Sequence, residues 1–241
     1  MILTGDLHAS PEELRFLDPK YLREKYKDKC ENTLIFILGD GGFLWCNDEY
    51  SDFNGELIQT LEMRLSELNS KLVVIPGNHE NYARIYSLPK EHLKENNLEG
   101  DFRRISNNIL YTERFGEYSF ENKNFLVLGG ARSLDKELRH EGEWFPEETF
   151  NIEEKDSIIS LIKDNEYNYV LSHTCPRYLF GEQIVLSHPC PRYGLILPYI
   201  YIRKVATFRW KIATKIMCVE YRLFLNGSLS GSWTMLSISY L

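Results

Sequence analysis

Cysteine is scarce in this chain and never closely paired. The five Cys among 241 residues are odd in number and form no Cys-x-x-Cys pair. That excludes a disulfide framework and leads us to expect reduced thiols in a cytoplasmic protein. Long apolar runs are missing too: none approaches the roughly 20 residues that cross a bilayer. Asp6 and His8 interrupt the first residues before the apolar core of a signal peptide can form. Positive charge is also short. A net charge of −7 disfavours a general nucleic-acid-binding surface. What remains is ordinary for a globular domain, with 43% hydrophobic and 26% charged residues. The length suits one large domain with a sizeable core.

The charge is unevenly spread. Residues 1–188 hold 21 Lys and Arg against 34 Asp and Glu, while residues 189–241 hold 7 against the single acid Glu220. A shift this sharp divides the chain into a domain over 1–188 and an atypical basic, hydrophobic tail over 189–241. The tail suits a basic amphipathic helix seeking an anionic surface. It suits better a C-terminus of altered origin, such as a shifted reading frame gives.

Four apolar runs end in polar groups of one kind. Leu72-Val73-Val74-Ile75 stops at Pro76-Gly77 and delivers Asn78-His79-Glu80. Met1 to Thr4 delivers Gly5-Asp6-Leu7-His8. Thr33 to Leu38 delivers Gly39-Asp40-Gly41-Gly42, and Asn168 to Leu171 delivers Ser172-His173. Such runs predict buried strands, and ligands of open α/β sheets gather at strand carboxyl ends. One polar loop after a strand means little; four suggest a site.

Between these strands the chain alternates. Ser10, Pro11 and Glu13 carry the signals of a capped helix start. That helix is expected to break near Asp18-Pro19 and resume through Lys29. Leu57, Ile58, Leu61, Leu65 and Leu68 predict an amphipathic helix over 54–69. Residues 81–97 suggest helix or turn with a solvated charged face. Residues 101–130 are short and β-rich, with polar turns such as Glu121-Asn122-Lys123, and predict hairpins feeding a second sheet. Asn151 and Glu154 form a capping box for a helix through Leu161. The order βα-βα-βα-ββ-βαβ describes an α/β layered fold.

Asp6, His8, Asp40, Asn78 and His173 together offer two carboxylates, an amide oxygen and two imidazoles. That set suits Mn²⁺, Fe or Zn²⁺ better than Ca²⁺. Asp6 and His8, two apart, share a face on a strict strand. Gly41 and Gly42 let the backbone turn tightly beside Asp40. A carboxylate between two ions is the usual bridge of a two-metal site, which polarises a phosphoryl oxygen and generates hydroxide near neutral pH. His79, beside Asn78, then suits a general acid.

The motifs Gly5-Asp6-Leu7-His8, Gly39-Asp40-Gly41-Gly42, Gly77-Asn78-His79-Glu80 and Ser172-His173, in that order, resemble the calcineurin-like metallophosphoesterase superfamily over about residues 1–180. The resemblance implies a layered β-sandwich flanked by helices, with two divalent metal ions, Mn²⁺ foremost, at the carboxyl ends of the strands. It implies that Asp6 and His8 hold one ion, Asn78 and His173 the other, and that Asp40 bridges. It further implies in-line attack by metal-bound hydroxide on a phosphate mono- or diester, with His79 protonating the leaving oxygen. Gly129 to Arg139 also resembles a segment of small bacterial members, where Arg132 or Arg139 either holds a phosphate or makes a surface salt bridge.

This chain departs from the family pattern at two places. Ala9 stands where the family usually has Gly. The closing Gly-His-x-His motif, which supplies one more imidazole to each ion, is absent. The nearest match, Ser187-His188-Pro189-Cys190, lies in a stretch that repeats Leu171 to Tyr178 with one difference. His188 is thus a candidate ligand within a local duplication. The missing motif supports a rival reading, a non-catalytic relative that binds phosphate ligands or a partner protein; His79 and Asp40 oppose it. A membrane-surface or nucleic-acid module built on the tail fits poorly with so acidic a domain. His92 and His140 read as solvated, Cys46 and Cys175 lack a base to activate them, and Trp45 and Trp144 read as pocket walls or core.

Overall fold

The computed structural model describes residues 1–10, 13–45, 51–95, 98–133, 135–139, 143–173 and 200–201. Its strands are β1 (Ile2–Thr4), β2 (Leu34–Leu38), β3 (Lys71–Ile75), β4 (Lys90–Glu95), β5 (Leu98–Arg104), β6 (Ile109–Thr112), β7 (Phe115–Phe120), β8 (Lys123–Leu128), β9 (Tyr169–Ser172) and β10 (Ile200–Tyr201). Its helices are α1 (Pro19–Tyr26), α2 (Ser51–Glu67), α3 (Tyr82–Ser87) and α4 (Ile152–Asp164). The strands form one sheet in the order β1-β2-β3-β6-β5-β7-β8-β9-β10, with β4 also paired to β5. The fold is mixed α/β: β1, β2, β3 and β6 run parallel, and β5, β7 and β8 join antiparallel.

The parallel strands are apolar on both faces because both faces are covered. Ile35 and Ile37 of β2, Leu72 and Val74 of β3, and Ile109 and Tyr111 of β6 belong to the core shared with the helices. Their neighbours Leu34, Phe36, Leu38, Val73, Ile75 and Leu110 point the other way, into a second core with Leu98, Phe102, Tyr118, Phe120, Phe125, Val127 and Leu171. That alternation is the period of two of a strand. The rings of Phe36 in β2 and Phe120 in β7 meet edge-on at 4.7 Å, although three strands separate them in the sheet order. The sheet therefore curls over until its far half covers its near half.

Several expectations hold. The break near Asp18-Pro19 is present, where Asp18 caps α1 by accepting from the backbone of Lys20 and Tyr21; the helix expected through Lys29 is α-helical only to Tyr26 and continues as a 3-10 turn over Lys27–Cys30. Leu61, Leu65 and Leu68 are buried under α2, with Leu57 and Ile58 packed against the same core. Asn151 and Glu154 close the capping box of α4. Glu121 and Asn122 take φ of 49° and 61°, the two left-handed residues of a type I′ hairpin turn.

Three expectations need correction. Residues 81–97 are not all helix or turn: α3 ends at Ser87, and Lys90–Glu95 is a strand paired along its length with β5. Its charges disguised it, because β4 has only Leu93 buried. The hairpins over 101–130 also do not start a separate sheet. β5 pairs with β6 on one side and β7 on the other, so hydrogen bonding is continuous across the curl. The capped helix expected to open at Ser10 is, over Glu13–Leu17, a 3-10 helix instead, and Pro11 and Glu12 of its expected start lie outside the described residues. Most of the tail also lies outside them; Ile200 and Tyr201 pair antiparallel with β9. Among the described residues, no helix is long and apolar enough to cross a membrane.

Candidate metal centre

The loops after β1 and β2 are laced together beyond the strands. The backbone N–H groups of Asp6, His8 and Ala9 donate to the carbonyls of Gly39, Asp40 and Gly41 at 3.0, 2.8 and 2.8 Å. Asp6, His8, Ala9 and Asp40 all adopt positive φ, between 46° and 57°, a region that side chains other than glycine enter at a cost of roughly 1–2 kcal/mol. Asp6 and His8 thus converge through these turns rather than by sharing the face of a strand. Donor atoms of Asp6, His8 and Asp40 lie within 4.8 Å of one another.

The motif glycines make room for these side chains. A Cβ on Gly39, whose φ is +92°, would sit 2.0 Å from His173 Nδ1; one on Gly77 would sit 2.0 Å from Asp40 Oδ1. No side chain can replace hydrogen at either place without displacing the site residue.

Asp40 is fully buried and central. Its Oδ1 accepts from the backbone N–H of His79 at 2.8 Å. Its Oδ2 lies 3.5 Å from His173 Nε2 and 3.8 Å from His8 Nε2. Burial works to raise the pKa of Asp40, but His173, then His79 and His8, outweigh it and hold the carboxyl far below the usual range. His173 is buried from the opposite end of the sheet order. Its Nδ1 donates to the Leu38 carbonyl at 2.8 Å, and its Nε2 contacts Asn78 Oδ1 at 3.1 Å. Burial works to lower the pKa of His173, but Asp40, joined by Asp6 and the Leu38 carbonyl, pushes it up to about 10.

Asn78 is held from behind. Its Nδ2 donates to Ser133 Oγ at 2.9 Å, and Ser133 donates its Oγ–H and N–H to the two carboxylate oxygens of Glu148 at 2.6 and 2.7 Å. Arg114 pins the segment carrying Glu148 by donating to the carbonyls of Glu147 and Thr149 and pairing with Glu154. On the other side, Glu80 accepts from Gly41 N–H at 2.8 Å and from the Tyr111 hydroxyl at 3.0 Å. Burial, then the charge of Asp40, pushes the pKa of Glu80 up to about 8.

His79 lies at the mouth, its ring 5.0 Å edge-on from that of His8 and 5.5 Å from that of Trp45. Arg139 contacts His79 Nε2 at 2.8 Å, and also the Asn78 carbonyl at 3.2 Å and Asp135 at 2.7 Å. With a side chain 5% exposed, Arg139 belongs to the site rather than to the surface. Arg132 is exposed and lines a separate cleft. His188, Cys175, Cys46 and His140 lie outside the described residues. His92 is exposed and bonded to Asp101. Asp6, His8, Asp40, Asn78, His79 and His173 therefore converge. Ser133, Glu148 and Arg114 were not singled out by role in the sequence. Ser133 sits in the Gly-Gly-Ala-Arg-Ser run already noted, whereas Glu148 and Arg114 carry no local signal.

The donors fit a divalent cation. Around one ion, ligand atoms at about 2.0–2.2 Å from the metal lie at most about 4.4 Å apart, so the Asp6, His8 and Asp40 cluster needs only a small contraction. His8 Nε2 is buried without a hydrogen-bond partner among the described residues, as a ring nitrogen kept for a ligand would be.

An α/β sheet with carboxylates and imidazoles gathered at its strand ends defines a candidate metallohydrolase. The chain belongs to the calcineurin-like phosphoesterase family, whose model matches residues 1–201. The general chemistry of that family is metal-dependent phosphoester hydrolysis. No curated protein matches the chain.

Proposed function

We propose that this protein is a cytoplasmic hydrolase that cleaves a phosphate mono- or diester with two divalent ions, Mn²⁺ foremost and Fe or Zn²⁺ as alternatives. The observation that supports the proposal is the gathering of donors around one buried carboxylate: donor atoms of Asp6, His8 and Asp40 lie within 4.8 Å of one another, and His173 Nε2 lies 3.5 Å from Asp40 Oδ2 and 3.1 Å from Asn78 Oδ1. In this reading Asp6 and His8 hold one ion, Asn78 and His173 the second, and Asp40 bridges. Bound ions would supply Lewis acidity to a phosphoryl oxygen and lower the pKa of water. The layered β-sandwich belongs to the same reading, supported by the contact of Phe36 with Phe120.

The chain's own residues do the rest. His79 donates a proton to the leaving oxygen. Arginine has only N–H donors, so in the contact with Arg139 the His79 Nε2 accepts and the ring is neutral; the acid form arises when that nitrogen releases Arg139 and takes up a proton from solvent, which it then gives to the leaving oxygen. Arg139 also fixes the ring by bridging it to Asp135. Trp45 and His8 wall the other side of His79.

The absence of Gly-His-x-His from the sequence favours a second reading, a relative that binds phosphate ligands or a partner protein without turnover. Reconstitution with Mn²⁺, metal counting and a nitrophenyl phosphate assay separate the two. Weakly held ions, up to two per chain, with slow hydrolysis are expected, because each ion lacks the imidazole that the missing motif supplies. Ion binding without hydrolysis of nitrophenyl or alkyl phosphates would establish the non-catalytic reading instead.

A further inference from the structure

The side-chain amide of Asn78 can be turned two ways. Its oxygen can meet a cation, whereas its NH2 group only donates. In the two-ion reading, Asn78 stands with Asp40 and His173 around the second ion. With Gly-His-x-His missing from the sequence, that short set leans harder on each member. What decides how the amide is turned lies behind the centre, not in it.

The donors and acceptors there leave one solution. Glu148, Ser133 and Asn78 are all buried, at 3%, 4% and 2% exposure. A carboxylate only accepts. The Glu148 oxygens therefore take both protons that Ser133 owns, the Oγ–H at 2.6 Å and the N–H at 2.7 Å. A hydroxyl has a single proton, so Ser133 Oγ can only accept from Asn78, 2.9 Å away. Asn78 must then present its Nδ2 to Ser133. Its Oδ1 is left on the side of His173, 3.1 Å from Nε2. The charge of Glu148 reaches the centre as a direction, carried by two hydrogen bonds.

Glu148 is itself braced. Arg114, with a side chain 5% exposed, donates to the carbonyls of Glu147 and Thr149, on either side of it. Gly130 packs against its backbone: a Cβ there would sit 2.3 Å from the Glu148 carbonyl oxygen. The N–H of Gly130 donates to the Pro76 carbonyl at 2.7 Å, which ties the same segment to the loop that carries Asn78.

We propose that Glu148 is a positioning residue for the second ion: through Ser133 it holds the Asn78 amide with its oxygen inward. This rests on the two-ion reading and adds the group that orients one of its ligands. Glu148→Gln isolates the part played by charge. If the new amide gives its oxygen to the Ser133 N–H, its NH2 faces Ser133 Oγ. The hydroxyl proton is then turned toward Asn78, whose amide must turn over to accept it. The opposite placement sets two buried donors face to face, the new NH2 against the Ser133 N–H, so the first arrangement prevails.

Two measurements test the proposal. In EDTA, nuclear Overhauser contacts between the Asn78 side-chain amide protons and Ser133 are expected in the parent and lost in Glu148→Gln. With Mn²⁺, calorimetry compares the parent, Glu148→Gln, Ser133→Ala and the double variant. Asp6→Asn and His173→Gln identify which binding step belongs to which side of the centre. Either single variant is expected to weaken the Asn78 side by about 10–100-fold and the Asp6 side by about twofold at most. The double variant should be no weaker than the worse single one, because Glu148 acts through Ser133. Equal weakening of both steps, additive losses, or amide contacts unchanged in Glu148→Gln overturns the proposal. A parent that takes up no ion, with amide contacts present and then lost in Glu148→Gln, keeps the positioning role and rejects the two-ion reading.

Discussion

The Nδ1–H of His173 donates to the Leu38 carbonyl at 2.8 Å while its Nε2 meets Asn78 Oδ1 at 3.1 Å. A carbonyl only accepts, and the Asn78 oxygen does too once its amide nitrogen is given to Ser133. Both ring nitrogens therefore donate, which only the imidazolium can do. The raised pKa of His173 agrees. The Leu38 carbonyl fixes the ring so that Nε2 is the nitrogen turned to Asn78 and Asp40, the role that outer-shell partners play for metal-binding His.

Metal uptake should therefore expel a proton. Calorimetry at pH 7.5 in two buffers of different ionisation enthalpy should give about one proton released per His173 site filled. Affinity should tighten as pH rises toward about 10. Without metal, the sign runs the other way. A raised His pKa contributes stability that is fully present below about 6.5 and is lost as pH rises through about 10. The depressed carboxyl of Asp40 contributes above about 3.9 and loses its share as pH falls further. Zero protons released at pH 7.5 would contradict the imidazolium assignment.

Glu80 should impose a separate pH dependence. Its folded pKa of about 8 lies above the ordinary carboxyl value of 4.5, so the folded chain binds the extra proton between them. Stability then falls as pH rises through that window. Glu80→Gln keeps an oxygen for Gly41 N–H and removes the charge that Asp40 opposes. In EDTA, the decline of melting temperature between pH 5 and 8 should be shallower in this variant than in the parent. An unchanged slope would place the ionisation elsewhere.

Ala9→Gly should stabilise the protein. Ala9 is buried and held at φ 51°, where a Cβ costs roughly 1–2 kcal/mol. Glycine relieves that cost and returns part of it as unfolded-state entropy, leaving a gain of about 0.5–1 kcal/mol. Denaturant unfolding in EDTA measures it. A loss of stability would mean that the methyl's packing outweighs its strain.

His79→Asn should keep metal and slow hydrolysis by about 10²–10⁴-fold for alkyl esters, with a smaller loss for nitrophenyl esters, whose leaving group needs no proton. Arg139→Ala should show the same dependence on leaving group, because it acts through His79. The two losses should not add in the double variant. Additive losses would give Arg139 a role of its own, such as holding phosphate.

The residues that converge on Asp40 were legible because each follows an apolar run with a small residue near the turn. Periodicity locates the strand and chemistry marks its end. The helices of the near half were legible for the same reason, with Leu61, Leu65 and Leu68 recurring on one face. The strand β4 was not, because it lies off the main path of the sheet and buries one side chain among charged ones. Ser133 with Glu148 and Arg139 with His79 were out of reach for another reason. Arg139 and His79 are 60 residues apart, and no local pattern encodes which distant loops will touch. Continuous hydrogen bonding through β5 was hidden likewise, since hairpins look alike whether they extend a sheet or begin another.

Asp6, His8 and Asp40 come from β1 and β2, adjacent strands whose loops are already tied backbone to backbone. His173 comes from β9, far along the same sheet, and reaches Asp40 only because the curl brings that edge round. The two halves of the centre therefore differ in what they report. One is assembled locally and survives as long as two neighbouring strands hold. The other exists only while the whole β-layer is rolled shut, so its occupancy would gauge tertiary closure. Mild denaturant should empty the His173 side before the Asp6 side, releasing ions in sequence rather than together.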